Sequence, residues 1–308
     1  MAAPAIPQAA SPAALVAEGG AMRGVFAAGV LDAFLESGFN PFDLFLGVSA
    51  GAGNLAAYLA EMPGRNYTIF TDYSRRREFV RFARFLRGGH LMDLDWLWRI
   101  TIAEMRLDLR RIYARGKPLI VVLTDVATGR PVYRQTCAAD LEAVLKASSA
   151  LPIVYRGFPG VDGRPMADGG LSDGLPVQAA LERGARGLMV IRSRPQGYRK
   201  RAGLLQAALV WRLRPWPRLC AALQTRVERY NAALDVLRRP PPGIDVVEVC
   251  PPAAFRPSRL GRNLEALRDG YHQGRAAAGD AMARWLALRP GAAPPGAASS
   301  PMGPHATG

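Results

Sequence analysis

Ser49 has the setting of a nucleophile. It lies in Gly47-Val-Ser49-Ala-Gly51, the G-x-S-x-G spacing, after an apolar run at 42–48 with β-type residues and before a helical stretch at 54–60. A strand-turn-helix of this kind is so tight that small residues must flank the serine, here Gly47 and Gly51, and it leaves the hydroxyl projecting at the C-terminal edge of a sheet. The N-terminus of the next helix favours developing negative charge. The same pentapeptide also occurs as a plain Gly/Ser turn, so the chemistry depends on partners.

One partner is Glu18-Gly19-Gly20-Ala21-Met22-Arg23-Gly24, a glycine-rich turn that opens a helix and aims several backbone N–H groups at one place. That is an oxyanion hole, a phosphate cradle or simply a strand-to-helix turn. The phosphate reading lacks the Lys-Ser/Thr pair of a P-loop, and the spacing is not G-x-G-x-x-G. A serine also needs a proton acceptor, usually histidine. Of three histidines, His305 is in the C-terminal tail, His90 follows a Gly-Gly turn and His272 lies on a late, polar-faced helix, which disfavours a Ser-His-Asp triad. Asp168, in Ala167-Asp168-Gly169-Gly170, is the better base, because Gly169 and Gly170 let backbone and substrate approach closely. An ordinary Asp-Gly turn is the alternative, and Asp173-Gly174 competes for the role.

These residues hang on recurring strand and helix signals. The run 13–17 ends at the glycine loop, and 25–37 places Phe26, Val30, Leu31, Phe34 and Leu35 at helical spacing before Gly38 stops it. Further strands are expected at 119–123, 188–191 and 244–249, a hairpin through the turn 125–129 into 131–134, and a helix at 141–147. The apolar run 153–158 and the turn 161–163 lead to Asp168, and Pro176 has a plausible first helical position. The alternation predicts a three-layer α/β/α fold around a mainly parallel sheet. In 308 residues, 49% of them apolar, one domain at 13–289 is the expectation. The Ala/Pro/Gly-rich ends, 1–12 and 290–308, have nothing to bury and are expected to be disordered.

A net charge of +15 would attract any polyanion, and composition alone does not choose between nucleic acid and anionic lipid. The usual nucleic-acid motifs are absent, so no nucleic-acid partner is expected. Cys137, Cys220 and Cys250 have neither metal-like spacing nor even pairing, no signal-type leader is seen, and no stretch is long enough to span a bilayer. The expected location is cytoplasmic, with possible peripheral contact at the inner membrane surface. Two basic stretches stand out. Residues 75–87 interleave six arginines with Phe79, Phe82 and Phe85, and 198–218 combines Arg199, Lys200, Arg201, Arg212, Arg214 and Arg218 with leucines and tryptophans.

Together the glycine loop, the G-x-S-x-G turn and the Asp-Gly-Gly motif resemble, in order and kind, the patatin-like phospholipase family. Thr124-Asp125-Val-Ala-Thr-Gly129, Ala147-Ser-Ser-Ala-Leu-Pro152 and Arg229-Tyr230-Asn231 extend the resemblance over about 14–289. It implies a serine acyl hydrolase cleaving fatty-acyl esters of phospholipids or related glycerolipids through an acyl-enzyme, with no metal or cofactor. It also implies a Ser49-Asp168 dyad and an oxyanion loop of Gly19, Gly20, Ala21, Arg23 and Gly24. At Ala21 the family usually has glycine, so a positive φ there would make the loop less favourable. Two other readings stay open: acyl transfer from the same acyl-serine to an alcohol, and a non-catalytic anionic-lipid-binding protein. The basic stretches are either membrane-interface segments or helices that pack their apolar faces and solvate their arginines.

Overall fold

The computed structural model describes residues 11–152, 154–202, 209–211 and 213–290. Five strands carry the parallel part of the sheet: β1 (Ala13–Ala17), β2 (Leu44–Val48), β3 (Leu119–Asp125), β7 (Gly187–Ile191) and β8 (Asp245–Val249). Neighbours among them pair in parallel, in the order β3-β2-β1-β7-β8. Two strands add antiparallel to β3: β4 (Pro131–Gln135) and β6 (Arg164–Asp168). The short β5 (Gly160–Val161) forms a hairpin with β6.

Period-two alternation explains why the inner strands are apolar throughout. Leu15, Phe45, Val121, Leu123 and Met189 face one layer, while Val16, Leu46, Ile120 and Val190 face the other, and both layers are dry. The first face is covered by α1 (Val25–Glu36), α2 (Ala50–Leu59) and α10 (Leu264–Leu288), through Phe26, Phe34, Leu55 and Trp285. The second is covered by α8 (Val177–Glu182) and α9 (Pro217–Arg238), through Val177, Ala180, Tyr230 and Leu234. This is the α/β/α architecture that the alternating pattern predicts. The remaining helices α3 (Arg65–Thr71), α4 (Phe82–Leu86), α5 (Leu94–Met105), α6 (Leu109–Ala114) and α7 (Leu141–Ser148) lie between β2 and β6 in the chain.

Several details depart from the sequence expectation. Helix α2 starts at Ala50, four residues early, because Gly51 and Gly53 lower local propensity while tertiary contacts hold the backbone helical. The apolar run 153–158 forms no strand; the described part turns on itself, with the Val154 and Tyr155 N–H groups donating to Leu151 O. Helix α9 begins with Pro217 in its first turn, inside the basic stretch 198–218, of which 203–208 and 212 lie outside the described residues. The expected disordered ends also lie outside them, apart from Ser11, Pro12 and Pro290. Pro12 is tied down rather than frayed, its carbonyl accepting from Arg186 N at 2.7 Å and Gly187 N at 3.2 Å.

The tightest contact between helices joins α1 to α10. A Cβ on Gly29 would lie 2.1 Å from Tyr271 O, and one on Gly274 would lie 2.1 Å from Phe26 O, so both positions need a bare backbone. Beside them Tyr271 Oη donates to the buried Asp32 carboxylate at 2.8 Å. Because α1 follows directly on the glycine loop, this crossing fixes the loop. Gly274→Val should therefore destabilise the protein by at least about 3 kcal/mol in urea unfolding; a change within the range of a surface substitution would show that the helices can separate without loss.

Candidate active site

Ser49 and Asp168 meet because two strands stop against one edge of β3. Residues 120–124 of β3 pair with β4, and 119–122 pair with β2, so β4 and β2 occupy opposite edges. Strand β6 pairs with Leu123–Asp125 of β3, which overlaps β4, and therefore lies on the β2 edge, beyond the end of β2. Val48 is opposite Val122 and Asp168 is opposite Leu123, the adjacent residue. Strand β2 running one way and β6 running the other thus end head to head. The Ser49 hydroxyl and the Asp168 carboxylate thereby share one cavity, and the hydroxyl is close enough to favour the charged form of the carboxylate.

The turn at Ser49 is strained, with φ 53° and ψ −125°. Its flanking glycines are sterically required: a Cβ on Gly47 would lie 2.4 Å from Ala52 Cα, and one on Gly51 would lie 2.4 Å from Ala17 O. Ser148 holds the turn from below, accepting the Ser49 N–H at 2.9 Å and donating to Val122 O at 2.7 Å. Asp168 is held by its own N–H to Ala150 O at 3.0 Å and by Thr124 Oγ1 donating to its carbonyl at 2.8 Å. Gly169 packs so closely that a Cβ would lie 2.1 Å from Val122 O, and Gly170 N donates to Asp168 Oδ1 at 2.7 Å. Burial pushes the Asp168 carboxyl above its ordinary range, while the Gly170 N–H, Arg259, the Ser49 hydroxyl and Arg226 pull it partly back. The competing Asp173 is engaged elsewhere, accepting from Tyr133 Oη at 2.9 Å. No histidine lines either cavity that contains Ser49; His305 lies outside the described residues.

The glycine loop runs alongside. Among the described residues the N–H groups of Gly19, Gly20 and Ala21 reach no backbone acceptor, whereas Met22 N donates to Arg259 O and Arg23 N to Gly20 O. Ala21 has φ 48°, in the left-handed region, which costs a non-glycine residue about 1–2 kcal/mol. Gly24 is kept small by Ala50 and Phe70, each 3.0 Å from where a Cβ would sit, and its carbonyl accepts from Asn54 Nδ2 at 2.8 Å.

Behind the loop Glu18 anchors a buried charge network. Its carboxylate accepts from Ser193 N at 2.7 Å, Tyr230 Oη at 2.8 Å and Arg192 Nε at 3.3 Å, and Arg192 also reaches Glu248 at 2.6 Å. Burial alone would raise the Glu18 carboxyl, but Arg192, the Ser193 N–H, Arg23 and Tyr230 hold it below its ordinary value. The network ties the end of β1 to the end of β7 and to α9. Arg23 reaches Ser193 Oγ at 3.3 Å, and burial with Arg259 and Arg194 nearby lowers it to about 10.

Two cavities meet at Ser49. One, of about 140 Å³, is apolar and runs past Met22, Ile69, Phe70, Leu97, Trp98 and Leu145. The other, of about 70 Å³, is polar and brings together Gly19, Gly20, Ala21, Arg23, Asp168 and Gly170 with Arg194, Lys200, Arg226 and Arg259. Of the residues singled out in the sequence, Gly24, Gly47, Gly51 and Gly169 shape the site by close packing and the rest line it.

Residues 15–181, more than half of the chain, match the patatin-like phospholipase family. The chain belongs to that family. Among its relatives, protein YjjU of Escherichia coli (strain K12) is 36% identical over 269 residues, covering 85% of this chain and 74% of that protein. An NTE family protein of Mycobacterium tuberculosis is 29% identical over 171 residues, 53% of this chain and 44% of its own length. The solved structure of VipD from Legionella pneumophila resembles 90% of this chain and 68% of its own, with 15% identity and a TM-score of 0.44. Residues 216–288 match a domain of unknown function, DUF6363, so α9 and α10 fall outside the patatin-like match.

Sequence reasoning did not pick out Ser148, Arg192, Ser193, Arg226 or Arg259 as part of this patatin-like site. Arg192 and Ser193 had a usable signal, since they follow directly on a parallel strand, where ligands gather in open α/β sheets. Replacing Arg192 by Met would leave Glu18 buried without its main counter-charge. A loss of about 3–5 kcal/mol is expected in urea unfolding. In the wild type the lowered Glu18 contributes stability that is complete above its ordinary value of 4.5 and is lost as pH falls through its lower folded value. Arg192→Met should abolish that acid-side loss; stability curves that stay parallel between pH 7 and 3 would refute the assignment.

Proposed function

We propose that this chain hydrolyses fatty-acyl esters of phospholipids or related glycerolipids, with Ser49 as nucleophile and Asp168 as its base. The observation that carries the reading is the placement of the strained Ser49 beside the buried Asp168, at the meeting ends of β2 and β6 where an apolar and a polar cavity adjoin. As Ser49 Oγ attacks the ester carbonyl, Asp168 takes its proton, and the N–H groups of Gly19, Gly20 and Ala21 receive the oxyanion. The proton passes to the departing lipid alcohol, leaving an acyl-serine. Water, deprotonated by Asp168, then attacks this ester, and Asp168 returns the proton to Ser49 Oγ as the acyl–oxygen bond breaks and the fatty acid leaves. The apolar cavity suits the acyl chain, and the raised pKa of Asp168 makes it a stronger base than an exposed aspartate.

Access to lipid is proposed through α4. Within the basic stretch 75–87, Phe79 turns inward, whereas Phe82 and Leu86 are 65% and 70% exposed beside the exposed Arg81 and Arg87. Apolar side chains flanked by arginine suit an anionic bilayer surface. No helix among the described residues is long and apolar enough to cross a membrane.

Ser49→Ala and Asp168→Asn should each lower kcat on a monomeric acyl ester by at least about 10³-fold while the protein stays folded. Turnover by Ser49→Ala at the wild-type rate would exclude this nucleophile. Since Asp168 must be ionised to accept the proton, kcat/KM should rise with pH through a midpoint above the ordinary aspartate value of 3.8; a midpoint at or below it would argue against a buried base. Combining Phe82→Asp with Leu86→Asp should weaken cosedimentation with vesicles of anionic lipid about tenfold, and an unaltered bound fraction would remove α4 from the interface.

A further inference from the structure

The polar cavity holds more positive charge than acyl transfer needs. Five cations line it, Arg23, Arg194, Lys200, Arg226 and Arg259, against two carboxylates, Glu18 and Asp168. Glu18 is neutralised by Arg192, and Asp168 accepts from Gly170 N and stands beside Ser49. Among the described residues none of the five cations is within ion-pair distance of an acid. Arg226 Nε and Arg23 Nε are buried with no hydrogen-bond partner among the described residues. Lys200 Nζ rests 4.0 Å from the centre of the Tyr230 ring and Arg194 lies 4.6 Å over Tyr198, contacts that orient a cation without neutralising it. Buried guanidinium groups without an acid normally carry a heavy desolvation penalty.

A group of like charges held together at a lipid-cleaving site is complementary to an anion. Guanidinium forks suit the oxygens of a phosphate, and a lysine adds a point charge. Four of the five cations, Arg194, Lys200, Arg226 and Arg259, lie beyond residue 181, outside the patatin-like match, and Arg226 and Arg259 lie within the 216–288 segment. Tyr230, on α9 with Arg226, hydrogen-bonds the carboxylate that anchors the glycine loop. The segment that supplies the cations is thereby held in register with the scissile centre. The cavity shares Ser49 and Ala21 with the apolar one, so a lipid with its chain on one side would present its headgroup on the other.

We infer that the region after residue 181 builds a phosphate-binding headgroup subsite from Arg194, Lys200, Arg226 and Arg259, which selects glycerolipids with an anionic phosphate headgroup over zwitterionic and uncharged ones. This inference rests on the hydrolase reading for its substrate but not for the anion site itself. Burial, Arg226, Arg259 and Arg23 all depress Lys200, as expected of a lysine crowded by cations and awaiting an anion. An ammonium headgroup would add one more positive charge to the cluster and be disfavoured.

The test has two arms on the full chain. In the first, wild type and the double variant Lys200→Gln/Arg226→Gln are compared on three monomeric substrates: a 1-acylglycerol phosphate, the matching 1-acylglycerophosphocholine and the matching monoacylglycerol. The wild type is expected to favour the phosphate substrate in kcat/KM by at least about tenfold over the other two, and the variant to lose most of that preference, tenfold being what one lost charged partner is worth. Equal wild-type rates on all three, or a preference that survives in the variant, would overturn the subsite while leaving the hydrolase reading intact. In the second, Ser49→Ala is melted with inorganic phosphate or glycerol 3-phosphate, using sodium chloride at matched ionic strength as control. Both phosphates should raise Tm, and neither should do so once Lys200 and Arg226 are also replaced. No phosphate-specific rise, or a rise that survives those replacements, would overturn the subsite. If the wild type cleaves no ester yet phosphate protects Ser49→Ala, the anion site stands and the hydrolase reading fails. Protection by glycerol 3-phosphate no greater than by inorganic phosphate, with no headgroup preference in turnover, would assign the site to free phosphate and overturn its headgroup role.

Discussion

A serine and an aspartate stand side by side in this chain because β3 offers one long edge to two strands that approach from opposite directions. Strand β2 covers the first part of that edge and β6 the next, and the junction falls between Val122 and Leu123. Everything near the site serves that junction. Ser148 bonds both the Val122 carbonyl and the Ser49 N–H, and Thr124 fixes the Asp168 carbonyl. Gly169 lets the chain turn away over Val122. An insertion in β6 would move Asp168 by a strand residue, about 3.3 Å, and reverse the direction of its side chain.

The junction alone would leave Ser49 and Asp168 open to water. The glycine loop supplies the second element, and its position is set by two interactions far apart in sequence. Glu18 locks the end of β1 to Arg192, Ser193 and Tyr230, while the bare-backbone crossing of Gly29 and Gly274 holds α1 against α10. Both bring in residues beyond the patatin-like match. The C-terminal helices are in this sense part of the site, since α10 braces the helix that follows the loop and α9 carries the tyrosine that bonds Glu18. Ala21 accepts left-handed strain within this frame. The surrounding bonds determine the backbone more strongly than the residue's own preference does.

Electrostatics divides the two cavities. The apolar one is lined mostly by side chains between α2 and α7, with Met22 from the glycine loop, whereas cations mostly from beyond residue 181 gather in the polar one. The net charge of +15 thus has one concentrated and partly buried part, distinct from the arginines exposed on the surface. Composition reports the excess but not where it is focused. Placement is a tertiary property, because Arg23, Arg194, Lys200, Arg226 and Arg259 span more than two hundred residues of sequence.

What the sequence by itself determined was local. Apolar runs bounded by glycine specify strands, and the G-x-S-x-G turn needs small residues within two positions of Ser49, so both are written in adjacent residues. The order of the three motifs carried the family resemblance, and the scarcity of histidine directed attention to Asp168. What only the tertiary structure decided was which distant groups meet. That Asp168 rather than Asp173 faces Ser49 follows from the β3 register, and the choice cannot be read from two Asp-Gly pairs five residues apart. In the sequence α9 leaves no clear helical signal and α10 only that of a polar-faced helix at His272, because their arginines and acids dilute the apolar period, and their packing depends on Tyr230 and Gly274 finding partners near the other end of the chain. Short-range sterics leave a mark in neighbouring residues, while long-range register, burial and charge focusing arise only when separate segments are packed together.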